Sequence, residues 1–168
     1  MLLRALEPED LDILYQVENN SDEWAVSTAN MPYSRQLLRE YILNSTGDIY
    51  TDKQVRLMVE AKEVERNVTV GIIDLFNFNP EHSRAEVGVY ILPEYRGKGY
   101  GSRALQQLVS YATTKLHIHQ LYAIIPVSNT VSQQLFYSAG FTTIATLPQW
   151  LRTQGGFSDA IIQHLIIK

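Results

Sequence analysis

The segment that most limits how this chain can fold is "PEYRGKGYG", Pro93 to Gly101, in which three glycines fall within five residues. An apolar, strand-like run, "RAEVGVYIL", comes directly before it. After it, apolar residues recur at the spacing of one helical face: Ala104, Leu105, Leu108, Val109 and Ala112. The sequence therefore predicts a strand, a glycine-rich turn and a helix, followed by a parallel strand, "QLYAIIPV", in a right-handed unit.

A glycine-rich turn that opens a helix is suited to bind an anion. The first backbone N–H groups of a helix have no intrahelical partner, and the helix dipole favours negative charge there. Arg96 and Lys98 add positive charge, so the segment predicts a pyrophosphate site. Neither the P-loop pattern nor the spacing of the dinucleotide-binding fingerprint fits it. Taken alone, a triplet of glycines is about as compatible with a turn that binds no ligand as with an anion site.

The rest of the chain predicts a single α/β domain over residues 1–168. Helical patterns cover 8–19 and 35–43, and "NTVSQQLFYSAGF" predicts a further helix. Five more segments read as strands: "LLRAL", "QVRLMVEA", "VTVGIIDLFNF", "TTIATLPQWL" and "DAIIQHLII".

Composition excludes several classes of function. The chain has no cysteine, which rules out disulfides, thiolate metal sites and a cysteine nucleophile. A net charge of -4 gives no overall attraction to nucleic acid or to an anionic membrane. No apolar run approaches the ~20 residues of a membrane span. The spacing of His117 and His119 suggests a metal site only weakly. Together these features predict a cytoplasmic protein that binds no metal, nucleic acid or membrane.

Two separated motifs resemble one family. "RGKGYG" fits the pattern Arg/Gln-x-x-Gly-x-Gly/Ala of the GNAT acetyltransferase superfamily, and "NTVSQQLFYSAGF" matches that superfamily's second motif. "LLRALEPEDLD" and "GGFSDAIIQHLI" are similar to the branch that holds spermidine/spermine and ribosomal-protein N-terminal acetyltransferases. The resemblance implies a mixed, mostly antiparallel central sheet with helices on both faces. It also implies acetyl-CoA as co-substrate and a small-molecule amine as acceptor.

The cofactor residues follow from the glycine turn and from the resemblance. Backbone N–H groups of the turn are expected to hold the pyrophosphate: Arg96, Gly97, Lys98, Gly99, Tyr100 and Gly101. The resemblance implies that the pantetheine arm is bound by the backbone of Val89, Tyr90 and Ile91 and by Asn129, Ser132 and Phe136. Asn129 is also expected to cap its helix.

Glu86 is the candidate general base. In "AEVGVYIL" the alternate residues from Ala85 form an apolar face, whereas Glu86, Gly88 and Tyr90 share the other face. A carboxylate on a central strand is unusual as core filling, so it is expected to accept the proton of the amine. The alternatives are orientation of a cationic substrate or a structural ion pair with Arg84 or another arginine. Gly88 marks either a β-bulge or a tight packing contact.

The acid that protonates the leaving thiolate is an open question. Many members of the superfamily have a tyrosine seven residues after the asparagine, where this chain has Phe136, and Tyr137 follows it. One residue is about 100° around a helix, so Tyr137 reaches the same place only if the helix is irregular. Otherwise another donor serves, or the thiolate takes a proton from solvent, which is feasible for a thiol of pKa around 8.5.

The acceptor is expected to be a polyamine or diamine. A protein N-terminus is the second candidate, and a non-catalytic acyl-CoA sensor is the alternative of a different class. Asp74 and the acidic segment "SDEW", 21–24, are available in the sequence to meet a cationic amine. A homodimer is expected from the resemblance.

Overall fold

The computed structural model describes residues 1–20, 31–62, 66–153 and 155–167. Within them, seven strands form one sheet in the order β1-β2-β3-β4-β5-β7-β6. The strands are β1 (Leu2–Ala5), β2 (Val55–Lys62), β3 (Asn67–Asn79), β4 (Arg84–Ile91), β5 (Gln120–Pro126), β6 (Thr142–Thr153) and β7 (Gly156–Ile166).

Five α-helices accompany the sheet in the described part of the chain: α1 (Leu11–Glu18), α2 (Arg35–Asn44), α3 (Ile49–Asp52), α4 (Tyr100–Thr114) and α5 (Thr130–Ser138). Short 3-10 turns, Pro8–Asp10 and Pro93–Tyr95, precede α1 and α4. The sequence predicted every helix but α3, whose single turn is capped by the Asp48 carboxylate and is too short to show a periodicity.

The sheet is antiparallel except at one place. β4 and β5 are parallel, and helix α4 connects them. The other neighbouring strands pair antiparallel. The predicted mostly antiparallel sheet is therefore confirmed, and its one parallel pair comes from the strand, glycine turn and helix predicted from the sequence.

β4 and β5 separate partway along their length. They pair only through Arg84–Gln120, Ala85–Leu121 and Glu86–Tyr122. Beyond these pairs β4 continues against β3 to Ile91, and β5 continues against β7 to Pro126. We call the gap between the two strands beyond Glu86 and Tyr122 the fork.

Two hydrophobic clusters cover opposite faces of the sheet. Ile73 of β3 faces the larger one, in which α4 contributes the fully buried Leu105 and Leu108. Ile72, the next residue along β3, faces the smaller cluster with Leu14 of α1 and other residues of α1 and α2. Because successive strand residues point to opposite faces, these clusters confirm the predicted helices on both faces.

A buried ion cluster joins β1 to the start of α1. Asp10 is only 4% exposed and accepts from two guanidinium nitrogens of Arg4, at 2.6 and 2.8 Å, and from the Glu7 backbone N–H. Burial by itself would raise the pKa of Asp10, but the hydrogen bonds and the charge of Arg4 outweigh it and leave that pKa lowered. Arg4 also pairs with Glu60 of β2.

Candidate active site

The glycines of the turn serve two different purposes. Gly97 and Gly99 have φ of 74° and 75°, a region that other residues rarely adopt, and a Cβ at either would meet nothing within 4 Å. Gly101 has no positive φ, and its Cβ would lie 3.5 Å from Ile91 and 3.6 Å from Leu135. Gly97 and Gly99 therefore shape an open turn, whereas Gly101 sits where α4 packs closely on its neighbours.

Backbone donors and cations converge at the start of α4. The first backbone hydrogen bond of α4 runs from the Arg103 N–H to the Gly99 carbonyl, at 3.3 Å. The N–H groups of Tyr100, Gly101 and Ser102 therefore have no acceptor within the helix. The Lys98 ammonium lies 5.3 Å from the Tyr95 ring, and Arg103 lies over the Tyr100 ring. Arg96 donates from Nε to the Ile91 carbonyl at 2.8 Å. Positive charge and free N–H groups thus share one open surface.

The fork exposes the backbone of alternate β4 residues. The Leu92 N–H donates to Val70 of β3, so Tyr90, two residues earlier and paired with Ile72, also directs its backbone at β3. Val89 and Ile91 direct their backbone groups the other way, into the fork, whereas the Val87 N–H belongs to the last parallel pair with β5. The backbones of Val89 and Ile91 thus face the gap in which the pantetheine arm is expected to bind. The predicted backbone contact of Tyr90 is wrong, because that backbone belongs to the β3 ladder; its ring instead lies under the Arg96 guanidinium.

Glu86 lies at the closed end of the fork. Its Oε2 accepts from Asn77 Nδ2 at 2.9 Å, and the Tyr122 hydroxyl and the Ile124 N–H lie near its carboxylate. Burial raises the pKa of Glu86, although these neighbouring donors oppose the shift. Among the ion pairs of the described residues none includes Glu86, so the alternative of a structural pair with Arg84 is not found. A half-buried carboxylate with a raised pKa is suited to accept a proton near neutral pH.

The β-bulge next to Glu86 lies in β3. The register of β3 on β4 shifts between Phe76 and Asn79, where Asn77 has φ of 49°. Gly88 keeps regular register opposite Asp74, so the bulge considered for it is wrong. A Cβ at Gly88 would lie 3.2 Å from the Phe76 ring, which supports the tight-packing alternative.

Asp74 already has a cationic partner. Arg56 of β2 donates to both of its oxygens, at 2.9 and 3.0 Å, and donates to Glu18 of α1 at 2.6 Å. Burial alone would lower the pKa of Arg56, but the charge of Asp74 and the hydrogen bonds to it outweigh this and raise the pKa. Asp74 is therefore not a free carboxylate for an amine, although two carboxylates around one guanidinium leave this group of three with one negative charge.

Helix α5 has the predicted N-cap, and it buries Phe136 while Tyr137 is exposed. The Asn129 side chain accepts from the Ser132 N–H at 3.0 Å, which confirms Asn129 as the N-cap. Phe136 is 3% exposed and meets Phe141 edge to face at 5.0 Å between ring centroids, so its ring is largely covered by protein. Tyr137 is 64% exposed. The helix is regular over Thr130–Ser138, so Tyr137 does not take the place of Phe136.

Three sequence expectations lie outside this arrangement. The acidic segment 21–24 falls outside the described residues. Across the described ranges no group of three His, Asp or Glu side chains is arranged to hold a metal ion. No helix there is long and apolar enough to cross a membrane.

A parallel strand pair that separates, a glycine turn at the start of the following helix and a carboxylate at the closed end define the site of a GNAT-type N-acetyltransferase. Residues 1–142 match the family described as "Acetyltransferase (GNAT) domain", and the chain belongs to that family. The predicted superfamily, its acyltransferase class and acetyl-CoA as co-substrate are thereby confirmed.

Relatives with named substrates align along nearly the whole chain. Spermidine N(1)-acetyltransferase of Escherichia coli K12 is 30% identical over 161 residues, covering 95% of this chain and 82% of that protein. The crystal structure of spermidine N-acetyltransferase from Vibrio cholerae, in complex with CoA and spermine, superposes with a TM-score of 0.85 at 26% identity, covering 98% and 94% of the two chains. A Bacillus subtilis protein provisionally named a ribosomal N-acetyltransferase is 26% identical, covering 98% and 90%.

Proposed function

We propose that residues 1–168 form a single N-acetyltransferase domain that moves the acetyl group of acetyl-CoA to a primary amine of a polyamine or diamine. The observation that carries the proposal is Glu86 at the closed end of the fork, hydrogen-bonded but without an ion-pair partner among the described residues. The spermidine acetyltransferases that align over nearly the whole chain support the acceptor class.

The residues present fit acetyl-CoA. The open turn at Gly97 and Gly99 gives a phosphate room to approach the backbone, and N–H groups at the start of α4 give it donors. Backbone groups of Val89 and Ile91 would bond the pantetheine amides along the fork. Asn129 and Ser132 at the start of α5 would bind the arm from the other side. Phe136 has little ring surface left for it.

Acetyl-CoA supplies the acetyl group as a thioester, whose carbonyl carbon the neutral amine attacks as the C–S bond breaks. Glu86 takes the proton that converts the ammonium form of the acceptor into that amine, and it later releases this proton to solvent. The second proton of the reacting nitrogen is lost to solvent, and the departing thiolate takes a proton from solvent. The Val89 N–H, which faces the fork, is a donor available to the carbonyl oxygen as it gains negative charge.

Solvent is the proposed source of the proton that reaches the thiolate. Phe136 has no proton to give, and Tyr137 lies exposed on a different side of α5. A thiol of pKa around 8.5 is a fair leaving group without an acid.

Charge favours a cationic acceptor. The Glu18, Arg56 and Asp74 group lies on the same face as Glu86 and toward the open end of the fork, since Asp74 pairs with Gly88. Together with an ionised Glu86, these side chains carry a net charge of about -2, which favours a cation. A protein N-terminus remains the second candidate because of the Bacillus subtilis relative.

The test is release of thiol from acetyl-CoA with spermidine, spermine, putrescine and a ribosomal N-terminal peptide. Turnover with the polyamines at a kcat/KM at least tenfold above the peptide supports the proposal. Preference for the peptide would overturn the acceptor class. Tight acetyl-CoA binding without any turnover would favour the non-catalytic acyl-CoA sensor instead of the enzyme.

We also propose that the chain self-associates as a homodimer or as an assembly of dimers. A spermidine N-acetyltransferase of Vibrio cholerae, 26% identical, has been solved as a dodecamer. The cytoplasmic location expected from the sequence stays a prediction.

A further inference from the structure

We propose that Asn77 and Tyr122 are positioning residues that hold the Glu86 carboxylate ionised and aimed along the fork. The inference rests on the proposed role of Glu86 as general base. Neither residue belongs to the two sequence motifs, and each comes from a different neighbouring strand.

The β-bulge explains how Asn77 reaches Glu86. Phe76 pairs with Glu86 and shares its face of the sheet, so in a regular strand the next residue would point to the opposite face. The extra residue of the bulge, with φ of 49° at Asn77, lets both Phe76 and Asn77 lie on the side of Glu86. Phe78 then returns to the larger core, where it is 6% exposed.

A left-handed backbone at an asparagine has an energetic cost. Such conformations cost on the order of 1 kcal/mol and persist where the surrounding structure fixes them. At this bulge the left-handed conformation allows one hydrogen bond, from Asn77 Nδ2 to Glu86 Oε2 at 2.9 Å. The bulge therefore places a donor directly on the candidate base.

Tyr122 approaches the same carboxylate from β5. It is the register partner of Glu86 in the last pair before the fork, and its hydroxyl lies near the Glu86 carboxylate. The Ile124 N–H, two residues along β5 where the strand has left β4, also lies near that carboxylate. Glu86 thus receives a hydrogen bond from β3 and has donor groups of β5 beside it.

These donors oppose the effect of burial. Transfer of a carboxylate from water favours its protonated form, and a protonated Glu86 could not accept a proton from an ammonium group. Hydrogen bonds to the carboxylate favour the charged form. The bond from Asn77 also restricts the orientation of the carboxylate.

Other charged and ionisable groups lie on the strands around this cluster: Arg84 and Tyr90 on β4, Asp74 on β3, Arg56 on β2, and His164 on β7 opposite Tyr122. The variants below leave all of these groups unchanged.

The test compares variants that remove one donor at a time. Asn77→Gly removes the amide but tolerates the positive φ, and Tyr122→Phe removes the hydroxyl but keeps the ring. Asn77→Asp keeps the shape and places a second carboxylate beside Glu86. The controls are Asn79→Ala, whose side chain accepts from the His82 N–H instead, and Tyr111→Phe on α4.

Two readouts are used. The first is the pH profile of kcat/KM with spermidine. Loss of a donor raises the pKa of Glu86, so the acidic limb should move to higher pH in all three variants, with about a tenfold loss at neutral pH. The second is the carbon-13 NMR titration of the Glu86 carboxyl group without substrates, assigned by its loss in Glu86→Gln. Its midpoint should move in the same direction, and neither control should move either readout.

The outcomes separate the two proposals. An unmoved NMR midpoint in Asn77→Gly and Tyr122→Phe would overturn the positioning role even if the enzyme turns over spermidine. Absence of turnover in the wild-type protein, with a shifted midpoint in both variants, would overturn the proposed function and support the positioning of Glu86. A shift in the controls of the same size would also count against the inference, since it would show a general loss of structure.

Discussion

Glu86 and Tyr122 are the last residues that β4 and β5 share as neighbours before the two strands separate. The geometry of the site follows from this pair. On one side of it the sheet is continuous and holds the carboxylate in place. On the other side the backbone of β4 faces an open gap, where an extended arm can bind in place of a strand. The base and the cofactor channel are therefore adjacent.

Replacement of Glu86 by glutamine should abolish most of the turnover without loss of fold. Removal of a general base costs typically 10²–10⁴-fold, so kcat should fall by at least about 100-fold. At pH 7 the melting temperature should stay equal or rise, because a neutral amide avoids the burial of a charge. Steady-state kinetics and thermal melts on the same preparations check both. Retained kcat would remove Glu86 from the mechanism.

Activity should fall as the pH drops through the raised pKa of Glu86. The carboxylate accepts the proton, so its protonation removes the base and lowers kcat/KM on the acidic side. The effect of pH on stability has the opposite sign. A carboxyl group whose pKa is raised in the folded state binds a proton more tightly when folded, so its contribution to the free energy of unfolding decreases as the pH rises above its unfolded-state pKa. A pH profile of the wild type against Glu86→Gln measures this, and an identical acidic limb in the variant would contradict it.

Gly99→Ala should weaken binding of acetyl-CoA. A Cβ meets no neighbour there, so the cost is the left-handed backbone, about 1–2 kcal/mol, and any relaxation of that strain moves the N–H groups of the turn. We expect at least a fivefold rise in Kd by calorimetry. Gly47→Ala is the matched control, with φ of 69° and equally open surroundings. It should lower the melting temperature similarly and leave the Kd unchanged; a Kd that rises equally in both variants would argue against a cradle role for the turn.

Asp10→Ala should destabilise the fold by about 3 kcal/mol, near the lower end for breaking a buried pair. The lowered pKa of Asp10 means that its contribution is complete above the unfolded pKa and is lost as the pH falls through the folded one. Urea unfolding at pH 7 and at acidic pH measures both effects. Asp12→Ala breaks an exposed pair with Arg35 and should cost under about 1 kcal/mol. Equal losses at the two positions would contradict the importance of burial.

Tyr137→Phe should leave kcat within about twofold. The side chain is 64% exposed, and the regular helix keeps it away from the position of Phe136. A loss of the size that removal of a general acid causes, about 100-fold, would show that the hydroxyl protonates the thiolate after all. The kinetic solvent isotope effect should be equally unchanged.

Local patterns predicted much of the site. Glycines that need a positive φ, an N-cap asparagine and an apolar helical stripe each act over a few residues, so the glycine turn, Asn129 and α4 could be placed from the sequence. The alternation of β4 also placed Glu86 correctly on the face opposite Ala85, which is fully buried. These features depend on backbone conformation and side-chain period, which neighbouring residues determine.

Contacts between distant segments could not be predicted in the same way. The pairing of Asp74 with Arg56 and the reach of Asn77 to Glu86 depend on strand register, and no single strand encodes the register of its neighbour. The direction of the Tyr90 backbone was missed for the same reason, since hydrogen bonding with β3 decides it. The sequence by itself determined that a carboxylate and a glycine turn lie at the two ends of one strand. Only the tertiary structure decided which groups surround that carboxylate, because burial and its hydrogen bonds come from strands far apart in the chain.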